Sequence, residues 1–407
     1  MSTTNGATNG KPAAPGLWVT GIASQFPPYS LDPERLEKFA SRFYDVKTPG
    51  LKNLLEVSRK TTIEKRPSAI SYDNGFGCQA ELPDMTAIDA FFRQAGVDLA
   101  VRACRKAMRE SGCTAADITH TVAVTATNHG CPGYDVLVAS KLGLSPTVDS
   151  TLLQGVGCSG GLSLMRAAAN AAGAATMRGQ PARVLAYTCE ICTAMLRYDL
   201  AAAEGSTDMS ALSPAATMLS DGAGAFVLCN DQRLCPIGLD GGEVRGRGKG
   251  CFQLLNWKNM VVPNTHADVG FFADPNGMTI LGRGVVANHI KKAIQALLPD
   301  MLASYREFVE DSSLGPSDFD WALHPGSPVI VDGIKEMLGL EDHHVRVTNE
   351  VYRTKGNSGS ASVLAVLSQL FPAGSGRDHI ISAAYGPGIN VEMVVLRRCS
   401  LGNDQSD

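Results

Sequence analysis

Cys158 lies in Thr151-Leu-Leu-Gln-Gly-Val-Gly-Cys-Ser-Gly-Gly-Leu-Ser-Leu-Met165, an apolar strand that passes through a Gly/Ser bend into an Ala-rich helical pattern ending at Met177. A thiol at the first turn of a helix meets unpaired backbone N–H groups and the positive end of the helix dipole, which together favour a thiolate. Gly157, Gly160 and Gly161 leave room for backbone and substrate to approach the sulfur. A thiol that makes and breaks thioesters also needs an oriented imidazole and donors for the oxyanion formed on the attacked carbonyl. His324, in Trp321-Ala-Leu-His-Pro-Gly-Ser-Pro328, stands where a short apolar segment meets a rigid Pro/Gly turn. Asn357, in Lys355-Gly-Asn-Ser-Gly-Ser-Ala361, takes the N-cap position of the helix that follows. Taken singly, Cys158 also suits a buried structural thiol, His324 a surface turn and Asn357 an ordinary helix cap. Their combination carries the meaning.

These residues must be held by the elements around them. Short β-branched runs at Leu17–Ile22, Thr121–Ala126, Arg183–Thr188, Gly224–Cys229, Val345–Val347, His379–Ala384 and Asn390–Leu396 predict strands. Helical patterns over Thr86–Ser111, Cys158–Met177, Val285–Glu310 and Ser358–Leu370 alternate with them, so the chain reads as α/β throughout. No Pro/Ser linker divides it, and the Pro/Gly-dense stretch from Cys235 to Gly250 is the expected joint between halves. Residues 157–165 and 356–364 echo one another: a reactive polar residue, then small residues, then an apolar helix.

At 407 residues and 44% hydrophobic content, the chain can bury one large core or two fused domains. Mixed charge with a net of −4 lacks the basic signature of a nucleic-acid partner. Residues 1–15 have no apolar h-region and read as a flexible tail, not a signal peptide. The Ala-rich run after Cys158 is interrupted by Arg166 and Asn170, so no membrane span is expected. Eleven cysteines without framework spacing predict free thiols in a reducing, cytoplasmic compartment. Cys189-Glu-Ile-Cys192 has CxxC spacing but no second pair or suitably spaced histidines, so neither redox nor zinc chemistry is assigned to it. The adjacent His343 and His344 do not converge on one ion and are expected to be solvated. Gly282-Arg-Gly284 lacks the strand-to-helix context of a nucleotide loop, and Arg245-Gly-Arg-Gly-Lys249 reads as a turn.

The set Gly-Val-Gly-Cys158-Ser-Gly, His324-Pro-Gly-Ser-Pro, Gly-Asn357-Ser-Gly-Ser-Ala and Tyr385-Gly-Pro-Gly-Ile389 resembles the type III polyketide synthases, the chalcone synthase family. The resemblance spans nearly the whole chain after the tail and includes Cys189-Glu-Ile and Leu219-Ser-Asp-Gly-Ala-Gly-Ala. Ser-Gln-Phe-Pro-Pro-Tyr and Arg-Phe-Tyr-Asp-Val near the start look most like its fungal branch. It implies a thiolase fold, with two duplicated α/β halves in a five-layered αβαβα arrangement. The N-terminal half, 16–240, would carry the nucleophilic Cys and the C-terminal half, 241–400, the His and Asn, with 401–407 a flexible tail. It also implies a homodimer with no metal or redox cofactor. In such a protein a starter acyl-CoA loads onto Cys158, while His324 and Asn357 hold the malonyl-CoA carbonyl, promote loss of CO2 and stabilise the enolate. His324 would pair with the Cys158 thiolate, and backbone N–H groups at Cys158 and around Gly388 would serve the acyl-enzyme oxyanion. The family's cavity positions are matched by Cys192, Met195, Leu219, Ile280, Gly359, Gly386, Pro387 and Gly388. Leu219 and Ile280 stand where plant members have Phe gatekeepers, which widens the passage and favours a fatty acyl starter. Lys60 matches a CoA-contacting Lys, and Lys52 and Arg59 are further cations for the phosphates. A charge run of this kind otherwise reads as a solvated helix face.

The expected reaction is iterative decarboxylative condensation of malonyl-CoA onto that starter, releasing an alkylpyrone, alkylresorcinol or resorcylic acid. Coupling of a β-ketoacyl unit with a second ketoacyl chain and a single-round ketoacyl synthase are the alternative reactions. An idle thiolase-fold binding partner is the non-enzymatic alternative, and it would show no thiol more reactive than the other ten.

Overall fold

Burial with period two organises the sheet. In the strand Asn390–Arg398, Val394 and Leu396 face one apolar cluster, whereas Val391, Met393 and Val395 face another. A strand patterned in this way is covered on both sides. The computed structural model describes residues 16–207, 215–230, 251–282, 284–372 and 374–399. The expected tails, the joint at 235–250 and the turn at 245–249 lie outside them.

Among the described residues the first half contains β1 (Trp18–Gln25), β2 (His120–Val124), β3 (Asp149–Leu153), β4 (Arg183–Ile191) and β5 (Asp221–Cys229). The second contains β6 (Phe252–Val261), the hairpin β7 (Val269–Asp274) and β8 (Gly277–Gly282), then β9 (Asp320–Leu323), β10 (His379–Gly386) and β11 (Asn390–Arg398). Nine of these strands run in the order β9, β10, β11, β6, β1, β5, β4, β2, β3, and β7 and β8 form a separate pair. The pairing repeats. In the first half β1/β5 and β5/β4 are antiparallel and β4/β2 is parallel; in the second β6/β11 and β11/β10 are antiparallel and β10/β9 is parallel. The two sets join where Trp18 and Val19 meet Gln253 and Phe252.

Three apolar clusters place the helices. The first joins both strand sets of that sheet to α3 (Gly160–Met177) and α8 (Ala361–Leu370), the central layer. The second packs α2 (Val97–Ser111) on the outer face of β1, β2, β4 and β5. The third packs α5 (Val286–Val309) and α6 (Pro328–Leu338) on the outer face of β9, β10 and β11. Helix, strand set, helices, strand set, helices is the five-layered arrangement expected of a thiolase fold, the two strand sets being continuous through β1 and β6. The N-terminal ends of α3 and α8 lie against each other, because a Cβ on Gly161 would sit 2.5 Å from the Ser360 carbonyl oxygen and 2.5 Å from Val363 Cγ1. Small residues there are a packing requirement.

Two local expectations are corrected. Val345–Val347 is not a strand: Val345 leads into α7 (Arg346–Lys355), whose buried Thr348, Val351 and Tyr352 follow helical spacing. A three-residue apolar run is outweighed by that longer pattern. His344 is buried rather than solvated, its Nδ1 accepting from the Glu341 N–H (3.0 Å) and its Nε2 donating to the Ser317 carbonyl (2.9 Å). His343 is exposed as expected.

Candidate active site

Cys158 sits in the 3-10 turn Gly157–Ser159, which runs directly into α3. Gly157 has φ of +52°, and a Cβ there would lie 2.3 Å from Pro387 Cδ. A Cβ on Gly386 would lie 2.3 Å from the Val156 carbonyl oxygen. The Gly-Pro-Gly loop at the end of β10 therefore presses on the thiol's turn from the other half. A Gly157→Ala variant should lose about 1–3 kcal/mol from the left-handed backbone alone, and the Pro387 contact should also displace Cys158. Thermal unfolding and thiol alkylation would measure the two effects separately.

The Cys158 thiol is half-buried with one side open to a cavity. Burial first, and then the charge of nearby Glu190, push it up to about 12, against the opposing pull of its own backbone N–H. Glu190 is itself fully buried, accepting from Thr127 Oγ1 (2.8 Å), the Ala126 N–H (3.1 Å) and Ser360 Oγ. His324 follows β9 and donates its N–H to the Ala383 carbonyl (2.8 Å). Its side chain is buried, which drives the imidazole down to about 3. Nδ1 has no hydrogen-bond partner among the described residues, and Nε2 is the nitrogen left to the cavity. No hydrogen bond joins Cys158 to His324 among the described residues, so the expected thiolate–imidazolium pair is not preformed. Each ion is disfavoured alone, and only together could they offset their desolvation.

Asn357 is not the N-cap of α8. Ser360 holds that position, and Asn357 precedes it by three residues. It is pinned along its main chain instead, its N–H donating to the Met218 carbonyl (3.0 Å) and its carbonyl accepting from the Ser220 N–H (2.8 Å). Buried Arg66 donates to the Leu219 carbonyl between them (2.9 Å). The side-chain Oδ1 accepts from the Gly359 N–H (2.9 Å), an Asx-type turn that turns the amide nitrogen toward the cavity as a donor.

Cys158, His324 and Asn357 line one cavity of about 270 Å³, near the lower end of the roughly 300–1,000 Å³ usual for ligand sites. Leu219, Ile280, Gly386 and Pro387 also line it. The walls that sequence reasoning missed come from Phe271 of β7, Val286 and Ile290 of α5, Ile330 of α6 and Tyr385 of β10. Their signal was faint, since each belongs to a pattern that also reads as ordinary core.

Four expected cavity residues stand elsewhere. Cys192 packs behind the wall against Ala215, Leu219 and Ile280. Met195 points into the core cluster shared with α2. Gly359, at φ of +56°, would direct a Cβ to within 3.0 Å of Glu190 Cγ, away from the cavity. Gly388 does not line the cavity, and its N–H is spent on the Val269 carbonyl (3.0 Å), which removes it as an oxyanion donor. Lys52, Arg59 and Lys60 are exposed on α1 (Pro49–Lys60), and Arg59 pairs with Glu37 at 2.5 Å. That helix packs against α4 (Ala215–Met218), whose Ala215 and Met218 reach the cavity.

The arrangement can load an acyl group on sulfur and offer two neutral donors to an oxyanion beside it. The model of chalcone and stilbene synthases, N-terminal domain, matches residues 45–232, and that of the C-terminal domain matches residues 253–400. Type III polyketide synthase pspB of Penicillium soppii is 46% identical over 401 residues, 96% of this chain and 98% of that protein. Acylalkylpyrone synthase csyB of Aspergillus oryzae is 32% identical over 385 residues, 93% of this chain and 94% of that protein. Among solved structures, a type III pentaketide synthase from Neurospora crassa superposes with a TM-score of 0.86 at 35% identity, covering 94% of this chain and all of that one. CsyB complexed with CoA-SH superposes with a TM-score of 0.85 at 30% identity, over 94% of this chain and 100% of that one.

Proposed function

This chain belongs to the chalcone and stilbene synthase family as a type III polyketide synthase, and from that premise we propose roles for its three converging side chains and a substrate class for its cavity. The Cys158 thiol gives its proton to His324 Nε2, and the sulfur attacks the carbonyl of an acyl-CoA, releasing the CoA thiolate, which takes up the proton. His324, neutral again, and Asn357 then donate to the thioester oxygen of malonyl-CoA. The carboxylate leaves as CO2, and the electron pair it leaves behind is held as an enolate between the two donors. The enolate carbon attacks the acyl group on Cys158, the C–S bond breaks, and a β-ketoacyl-CoA forms two carbons longer.

The observation that carries this reading is the convergence of Cys158, His324 and Asn357 on one apolar-walled cavity. Aliphatic Leu219, Ile280, Ile290 and Ile330 support a fatty acyl starter, extended and released as an alkylpyrone, alkylresorcinol or resorcylic acid. Likeness to an acylalkylpyrone synthase supports a second reading, the coupling of two ketoacyl chains. Lys52, Arg59 and Lys60 are proposed to meet the CoA phosphates, with CoA thioesters as the sole partners in the chemistry. The exposed edge strand β3 and the bare side chain of Met177 support a homodimer. No described helix is long and apolar enough to cross a membrane, and no disulfide joins the described cysteines; a cytoplasmic location is part of the proposal.

Wild-type protein and a Cys158→Ala variant, incubated with malonyl-CoA and acyl-CoAs of graded length, test the proposal by mass spectrometry. Polyketides with a preferred starter length from the wild type alone are expected. Products of a single condensation, or none from any starter, would overturn the iterative reading.

A further inference from the structure

We infer that Tyr385 is the positioning residue for His324, holding its main chain and ring in place of the acceptor that usually orients a working imidazole through its second nitrogen. The inference rests on the roles proposed above. Those roles demand opposite states of Nε2: a lone pair to receive the thiol proton, and an N–H to donate to the enolate oxygen. A carboxylate or carbonyl fixed on Nδ1–H would lock one tautomer and leave neutral Nε2 as an acceptor. His324 Nδ1 is buried without a partner among the described residues, so neither tautomer is locked. The ring must then be oriented by other means.

Tyr385 supplies them. Its hydroxyl donates to the His324 carbonyl at 2.7 Å, and its ring meets the imidazole edge to face, with centroids 5.1 Å apart and planes at 80°. Burial raises its hydroxyl far above the ordinary phenol range, so it stays protonated and donates at every working pH. The Gly326 N–H donates to the same carbonyl at 2.8 Å. A Cβ at Gly326 would lie 2.8 Å from Tyr385 Cε2 and 3.2 Å from His324 Cδ2, so the glycine is what allows the two rings to close. Tyr385 is anchored in turn by its pairing with Val391 across β10 and β11, and His324 by the Ala383 carbonyl on the same strand. One strand thus fixes the histidine at both its N–H and its carbonyl.

Tyr385→Phe deletes the hydroxyl and keeps the ring. Its malonyl-CoA decarboxylation kcat should fall ~10-fold, inside the ~10²-fold that a 1 Å misplacement can cost. KM for malonyl-CoA and the melting temperature should stay near wild type. Tyr385→Leu, which also removes the ring, should lose more kcat. Wild-type kcat in Tyr385→Phe would overturn the inference, as would a loss matched by an equal fall in the fraction of protein whose Cys158 can be acylated. His324→Ala is assayed alongside. If it retains decarboxylation, the role of His324 itself is wrong, an outcome distinct from failure of the Tyr385 clamp.

Discussion

A His324→Ala variant should alkylate at Cys158 with iodoacetamide ~10 to 10³-fold more slowly than wild type at pH 7, the one to three pKa units that an opposite charge within about 4–6 Å supplies. Burial and Glu190 alone hold the thiol at about 12, and His324 alone is held at about 3. Both shifts disfavour charge, so on the proposed mechanism a reactive sulfur at neutral pH depends on His324 taking its proton. In the variant the rate should therefore rise tenfold per pH unit through pH 10 without a plateau, because the thiol's own value lies higher still. Wild-type protein should level off at lower pH. Equal rates and superimposable profiles would mean that Cys158 is activated by something other than His324.

Asn357→Ala should reduce malonyl-CoA decarboxylation by ~10²–10³-fold, the usual cost of one oxyanion donor. Acylation of Cys158 by the starter should be little changed, because in the proposed mechanism the amide serves the enolate oxygen and takes no part in thiol deprotonation. Single-turnover labelling with a radioactive starter, run beside CO2 release, separates the steps. If both fall together, Asn357 maintains the whole site through the side-chain Oδ1 that accepts from the Gly359 N–H and Ser362 Oγ instead of serving one oxygen.

The three residues that converge on the cavity and the β/α alternation stood out in the sequence because each depends on local rules. The bend before α3 must be glycine-rich, and strands buried on both faces must be apolar. Duplication was visible in the echo between residues 157–165 and 356–364, and it reappears as the repeated strand pairing. What escaped the sequence was direction. Leu219 and Met195 look equally suited to a cavity wall, and only the course of the backbone turns one inward and the other into core. Gly359 matches a cavity position in the sequence, yet its left-handed conformation places it beside Glu190 with its N–H donating to Asn357 Oδ1. The ionisation of Cys158 was also illegible, since a motif names the neighbours of a sulfur but not how much water they exclude.

The hairpin of β7 and β8 stands apart from the nine-stranded sheet, yet it contributes Val269, Phe271 and Ile280 to the cavity and none of the three reactive residues. Chemistry and capacity are thereby inherited from different pieces of chain. Substitutions in the hairpin can redraw the space available to a growing product while the thiol, imidazole and amide keep their alignment. Lineages of such enzymes can thus diversify their products by remodelling an appendage, and a hairpin transplanted between relatives should carry chain-length preference with it.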